Sequence, residues 1–411
     1  MRRRAGLEQF THTGKMRHIR EHLPTYLGHA HSRYGSRLFG IKHDDRFHHV
    51  YAIGKTGTGK STLLENMVLQ DVRHGNGVAL IDPHGDLVTR IAGAIPESRK
   101  QDVFFVNVPD PHQPYGYNPL RSVRPDRIPL AASGLLEAMK KVWADAWGVR
   151  MEHILRNAVF ALLEQKDATL ADILRLFSDK QYRKTIARSL KNETIRTFWE
   201  KEYEKYSFGY RADGIAAIQN KIGAFLADPT MKRVLTEPRH DLRIRKIMDE
   251  GQILLVNLAK GAIGEDSASL LGALLVTTIG LAAFSRADVP YAERRPFFVY
   301  IDEFQSFTTL ALANMLSELR KYRVGITASH QYLHQLEPEI RHAVLGNAGT
   351  IISFRLGAGD APYLSREFSN KFSPADLIAL KNHRIALKLM INGMPSQPFS
   401  ARTLEPYVST P

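Results

Sequence analysis

The chain has no cysteine. Disulfides and thiolate metal sites are therefore excluded, and the composition fits a reducing, cytoplasmic setting. No secretory leader is visible: Met1-Arg-Arg-Arg is not followed by an apolar stretch. Long hydrophobic runs are scarce. The longest, Ala268 to Phe284, is about 17 residues and contains Ser269, Thr277, Thr278 and two glycines. A membrane-spanning helix needs about 20 apolar residues, so this run is expected to be a buried core helix. No pair of histidines stands at a ligand spacing with a carboxylate partner, and there is no tandem repeat or low-complexity block. Acidic residues are outnumbered, 42 against 56 lysines and arginines, for a formal net charge of +14. That balance favours a polyanionic partner, nucleic acid or an anionic membrane surface. At 411 residues and 44% hydrophobic, the chain can build a large core and two compact domains.

Against these absences stands one dense motif. Gly54-Lys55-Thr56-Gly57-Thr58-Gly59-Lys60-Ser61-Thr62 contains a full G-x-x-x-x-G-K-[ST] phosphate-binding loop. Glycines let consecutive backbone N–H groups curl around an anionic phosphate. Lys60 can reach β- and γ-phosphates, and the Ser61 hydroxyl can ligate Mg²⁺. The context agrees. Val50 to Ile53 is apolar and β-prone, and Leu63, Leu64, Met67 and Val68 fall at helical spacing. A strand, the loop and a helix whose N-terminal dipole attracts anions are expected in that order. No third glycine completes a dinucleotide fingerprint.

Further strands are expected at Val78–Ile81, Val103–Val108, Gln252–Leu258, Phe297–Ile301, Val324–Ser329, Thr350–Phe354 and Ile385–Ile391. Apolar runs alternating with helices argue for an α/β fold with a mostly parallel sheet covered on both faces. Asp82, His84 and Asp86 could ligate a metal, but a turn held by Asx side chains, with Gly85 at positive φ, is favoured. From 125 to 240 β-branched runs disappear and amphipathic helices dominate. Ile154, Leu155, Ala158, Val159 and Leu162 line one face, and Thr169-x-x-Asp172 is a capping-box signature. This reads as an all-helical insertion. Lys180, Lys184, Arg188 and Lys191 share one helical face, which can meet phosphates or simply be solvated. Trp143, Trp147 and Trp199 read as core or domain contacts. The boundaries expected are a basic N-terminal arm (1–40, with Arg17, Arg20, Arg33 and Arg37), a nucleotide-binding domain in two parts (41–124 and 241–395), the helical domain (125–240) and a loosely ordered tail (396–411).

The second chemical motif is Pro296-Phe-Phe-Val-Tyr-Ile-Asp302-Glu303. An apolar strand ending in two carboxylates, downstream of a phosphate loop, fits a Walker B element. Asp302 can hold Mg²⁺ beside Ser61, and Glu303 can polarise water. The next strand ends in His330-Gln331, where Gln331 is placed to touch a γ-phosphate.

Gly54 to Thr62, Ala79-Leu-Ile-Asp-Pro-His-Gly-Asp-Leu87, Ile301-Asp-Glu-Phe304 and Ser329-His-Gln331 occur in this order. With the helical insertion, the set resembles the HerA/FtsK superfamily of ring-shaped DNA-pumping ATPases, over about residues 40–395. Within it the chain looks most like the type IV secretion coupling proteins of conjugation. The resemblance implies a RecA-like core, ATP and Mg²⁺, a homo-hexamer with nucleotide between subunits (preformed, or assembled from monomers on DNA), and DNA in its channel. It implies a trans-acting arginine 11 residues before the sensor glutamine, which is Arg320 here, with Arg323 and Arg355 as runners-up. It implies that 125–240 meets a relaxase or its DNA complex. Ala259 to Gly264, with Lys260, is a channel-loop candidate. Family members usually carry a membrane anchor, and none is seen here, so peripheral docking at the inner membrane through a separate protein is one expectation. The alternatives are a HerA-like helicase working with a nuclease, and a nucleotide-gated binding scaffold. The intact Asp302-Glu303 pair argues against the scaffold.

Overall fold

The computed structural model describes residues 23–32, 35–121, 123–237 and 239–406. Arg17, Arg20 and Arg33 of the expected basic arm lie outside these residues. The strands, in chain order, are β1 (Thr25–Ser32), β2 (Gly35–Ile41), β3 (Val50–Ile53), β4 (Gly77–Asp82) and β5 (Val103–Asn107). Then come β6 (Tyr115–Gly116), β7 (His240–Asp241), β8 (Ile253–Asn257), β9 (Phe297–Ile301) and β10 (Val324–His330). The last are β11 (Thr350–Ser353), β12 (Arg384–Lys388), β13 (Met390–Ile391), β14 (Met394–Pro395) and β15 (Phe399–Thr403).

An 11-stranded sheet in the order β2-β1-β15-β12-β11-β3-β10-β9-β4-β8-β5 is the spine. From β11 to β5 every neighbouring pair is parallel. From β11 back to β2 every pair is antiparallel. This is the mostly parallel α/β fold read from the strand pattern. Alternate residues of one strand feed opposite faces, as a pleat requires. Tyr51, Ile53, Ala79 and Ile81 enter one core cluster; Val50, Ala52, Val78 and Leu80 enter the other. The second cluster is closed by the helices Lys60–His74 and Asp86–Gly93.

Two expectations are corrected at the antiparallel edge. Thr25–Ser32 and Gly35–Ile41, almost wholly within the span assigned to a basic arm, pair as the antiparallel strands β1 and β2. Phe399–Thr403, within the span assigned to a loose tail, is a strand between β12 and β1. The first and last strands in chain order pair with each other, Gly28 with Thr403 and Ala30 with Ala401. Neither stretch has strong β periodicity, so cross-strand hydrogen bonding, not propensity, makes them strands.

The helices between β6 and β7 run from Ile128 to Thr236. The Thr169–Asp172 capping box forms as its sequence signature indicates. Trp143 and Trp199 are buried, and Trp147 packs against the same cluster. Lys180, Lys184 and Arg188 are an exposed face of the helix Lys180–Ser189, which ends before Lys191. The apolar run is the helix Glu265–Ser285. It is long and apolar enough to cross a membrane, but its most apolar window is 72% buried inside the fold. Its side chains join those of Ile128–Val142 in the first cluster, so the helical segment and that face of the sheet share one core.

Candidate nucleotide-binding site

The phosphate loop leaves β3 and enters the helix Lys60–His74 at Lys60. Gly59 has φ of 116° and caps that helix. A side chain there would be strained, and its Cβ would stand 2.8 Å from His383 Nδ1. The loop is braced by its surroundings. The Gly54 amide donates to the His330 carbonyl at 3.1 Å, and the Lys55 amide to the Arg355 carbonyl at 2.9 Å. The His383 amide donates to the Thr58 carbonyl at 2.8 Å. Lys60 Nζ donates to the carbonyls of Gly54 at 2.5 Å and Lys55 at 3.1 Å. Burial lowers its pKa, while the nearby charges of Asp302 and Glu303 oppose that shift. The lysine is thus a buried cation with carboxylates close by and an anion-binding loop around it.

β10 lies between β3 and β9 in the sheet. Its parallel register therefore brings the ends of β9 and β10 to the loop: Ser329 pairs with Ala52, and Ala328 with Ile301. Asp302 and Glu303, just past β9, are 7% exposed each. Burial raises the Asp302 pKa, and the Glu303 and Asp82 charges add to that. Buried carboxylates in mutual repulsion, beside a hydroxyl-bearing phosphate loop, are a donor set that a hard divalent cation would relieve. The residues therefore fit Mg²⁺ held by one or two protein ligands and by phosphate oxygens.

Glu303 has φ of 49° and ψ of 51°, the left-handed region. A non-glycine residue there costs roughly 1–2 kcal/mol and persists only where its neighbours enforce it. Its carboxylate accepts from both sides, from Gln331 Nε2 and from Gln305 Nε2 at 2.6 Å. Gln331 Oε1 in turn accepts from Thr56 Oγ1 at 3.0 Å. Loop, glutamine and glutamate form one hydrogen-bonded chain.

Arg320 stands apart from this cluster. It is exposed in the turn Arg320–Tyr322, before β10 begins. Gln331 follows the other end of that strand, seven residues long, or roughly 20 Å of extended chain. Arg320 is therefore at the opposite end of the central strands from its own phosphate loop. Arg323, at the same end, has φ of 54° and lies over the Phe47 and Tyr291 rings at 5.9 and 5.7 Å. Arg355 is beside its own loop. Asp82 accepts the His84 amide at 2.9 Å and the Val88 amide at 3.0 Å, with Gly85 at φ 93°. It is the Asx-held turn. Among the described residues no three His, Asp or Glu side chains are arranged to hold a metal. Ala259 to Gly264, expected as a loop, contains the short helix Lys260–Ile263.

Sequence reasoning missed Gln305, His383 and Lys141. Lys141, from the helical segment, donates to the Gln305 carbonyl at 2.7 Å and the Thr308 carbonyl at 2.5 Å. Gln305 could have been found by its place two residues after Glu303. His383 and Lys141 lie too far away in sequence to leave a local signal.

The family model for the type IV secretion-system coupling protein DNA-binding domain matches residues 39–356. The chain belongs to this coupling-protein family. Among curated proteins none matches it by sequence. Solved structures share the coupling-protein fold. The plasmid coupling protein TrwB in complex with ADP and Mg²⁺ is 16% identical, covers 96% of this chain and 92% of its own, and gives a TM-score of 0.64. TrwB with the non-hydrolysable ATP analogue ADPNP is 16% identical over 97% and 94%, with a TM-score of 0.63. VirB4 of Thermoanaerobacter pseudethanolicus is 13% identical over 93% and 96%, with a TM-score of 0.64. The coupling-protein match includes the phosphate loop, Asp302, Glu303, Arg320 and Gln331.

Proposed function

We propose that this coupling protein is an ATP- and Mg²⁺-dependent DNA translocase that works as a homo-hexamer and delivers DNA, or a relaxase–DNA complex, to a type IV secretion apparatus. The observation that carries the reading is the chain of hydrogen bonds Thr56–Gln331–Glu303–Gln305. It ties the phosphate loop to a buried carboxylate.

In this reading the loop amides and Lys60 bind the phosphates, and Ser61 and Asp302 hold the metal. Bound Mg²⁺ would neutralise phosphate charge during transfer. Glu303 orients the attacking water and takes its proton. Gln331 responds to the γ-phosphate, through Thr56 on one side and Glu303 on the other. Arg320, at the far end of the central strands, completes the site of an adjacent copy. The basic charge supplies sequence-independent phosphate contacts along the DNA.

The test is steady-state ATP hydrolysis at low salt, with no DNA, single-stranded DNA and duplex DNA, and with Glu303→Gln as the blank. DNA-stimulated hydrolysis that weakens steeply with salt supports the motor and names its track. Absence of hydrolysis under every condition rejects it in favour of a nucleotide-gated scaffold.

A further inference from the structure

We propose that Lys141 and Glu137, on the helix Ile128–Val142, are positioning residues that hold the backbone beyond Glu303 and so fix the Glu303 carboxylate for hydrolysis. The inference rests on the ATPase reading above and deepens it. It connects the helical segment to the reaction.

The two residues are one helical turn apart and share a face. Both reach the same stretch of the nucleotide-binding core. Lys141 Nζ bridges the carbonyls of Gln305 and Thr308 at 2.7 and 2.5 Å. Glu137 Oε2 accepts the Ala311 amide at 2.6 Å. The segment they hold begins at Glu303, whose backbone is left-handed. Such a conformation needs support from its neighbours. Phe304 and Phe307, both buried, anchor the turn in the core. Lys141 and Glu137 fasten its backbone.

The grip leads straight to the carboxylate. Gln305, whose carbonyl Lys141 holds, donates its side-chain amide to Glu303 Oε2. Ala311, whose amide Glu137 holds, is in the first turn of the helix Leu310–Leu319. Arg320 is the C-cap of that helix. One pair of side chains from the helical segment thus orders both the chain's own water-positioning residue and the approach to its exposed arginine.

The lysine is suited to this. Its ammonium is shielded enough that burial lowers its pKa to about 8, with Glu337 the carboxylate that opposes the shift. At neutral pH it is still charged, and charged donors bond carbonyls more strongly than neutral ones. A cavity of about 510 Å³ opens beside it, lined by Lys141, Gln305, Glu303 and Gln331. When the grip is lost, Glu303 has space to swing away from Gln331.

The test uses the full chain with Lys141→Met, Lys141→Arg and Glu137→Met. Three quantities are read: kcat for ATP, affinity for a fluorescent ATP analogue, and the melting temperature. Lys141→Met is expected to lower kcat by about 100-fold, the scale of a misplaced reacting group, with analogue affinity within about 2-fold of wild type. Lys141→Arg, which can still bridge two carbonyls, is expected to restore most of the rate. A wild-type kcat in Lys141→Met overturns the proposal. So does a loss of analogue binding in step with the rate, or an arginine variant no better than methionine. Where Lys141→Met fails to fold, Glu137→Met, which removes the acceptor of the Ala311 amide, decides: a wild-type rate in that variant overturns the proposal. A wild-type chain inactive with every DNA would instead overturn the ATPase reading, and this inference with it.

Discussion

Gln331 donates its side-chain amide to Glu303 Oε1, joining the ends of two neighbouring parallel strands. With Thr56 donating to the same glutamine, the phosphate loop and the carboxylate are linked through one side chain. Gln331→Ala is therefore expected to uncouple them. The hydrolysis rate should fall by roughly 100-fold, the order lost when one preorganised polar group is removed. Nucleotide affinity should change little, because Lys60 and the loop amides remain. Parallel titration and turnover measurements check this, and an unchanged kcat would remove Gln331 from the site.

Lys60→Ala should act earlier. The ammonium is held by two loop carbonyls, placed to exchange them for phosphate oxygens. Loss of a charged hydrogen bond of about 1.5–3 kcal/mol weakens binding roughly 10–100-fold. Calorimetric titration with Mg-ATP measures it. Affinity equal to wild type would mean that the lysine only braces the loop.

Arg320 tests action between copies. Alone, Arg320→Ala should lose a factor of roughly 10³ or more in rate, the scale of an arginine finger. Mixed with Glu303→Gln subunits, it should recover activity, since each variant keeps what the other lacks. Wild-type hydrolysis by Arg320→Ala would put the finger elsewhere.

Stability should fall in mild acid. His49 is buried, accepts the Ile326 amide at Nδ1, and meets the Leu316 carbonyl at Nε2. It is therefore neutral with its proton on Nε2, and burial lowers its pKa to about 4. His330 is buried against Lys60, and its pKa falls to about 3. Because these folded values lie below the unfolded one near 6.5, the unfolded chain binds more protons in acid. Stability is full above about pH 6.5, declines as pH drops through 6 and 5, and levels off below the folded values. Over the full decline the shifts correspond to about 3 kcal/mol for His49 and about 5 kcal/mol for His330. Denaturant melts from pH 7 to 4 check the slope, and His49→Gln should flatten it.

A buried ion pair offers a stability test away from the site. Arg46 and Asp71 are 1% and 0% exposed, and they share Tyr300, which accepts from the arginine at 2.7 Å and donates to Asp71 at 2.5 Å. Arg46 also donates to Thr25 of β1 at 3.0 Å, fastening the N-terminal hairpin to the sheet. Asp71→Asn leaves a buried guanidinium without its counter-charge and should cost about 3–5 kcal/mol. Thermal unfolding measures it, and a neutral result would mean that Tyr300 and Thr25 satisfy the arginine alone.

The sequence by itself determined what is contiguous. The phosphate loop, the apolar strand ending in Asp302-Glu303, the Asx turn at Asp82 and the Thr169–Asp172 cap each need only residues a few positions apart. Local backbone preference and hydrogen bonding specify them before any packing occurs. The parallel core was legible for the same reason: fully buried strands are continuous apolar runs, and periodicity marks their helices. Tertiary structure decided the rest. β1 and β15 pair with each other across more than 350 residues of chain, β1 being held on its other side by β2 and β15 by β12, and no local pattern shows this. His383 reaches Thr58, and Lys141 reaches Gln305, through folding of distant segments onto a shared core. No local pattern encodes such contacts, since their free energy comes from burial and pairing that exist only once the sheet has closed.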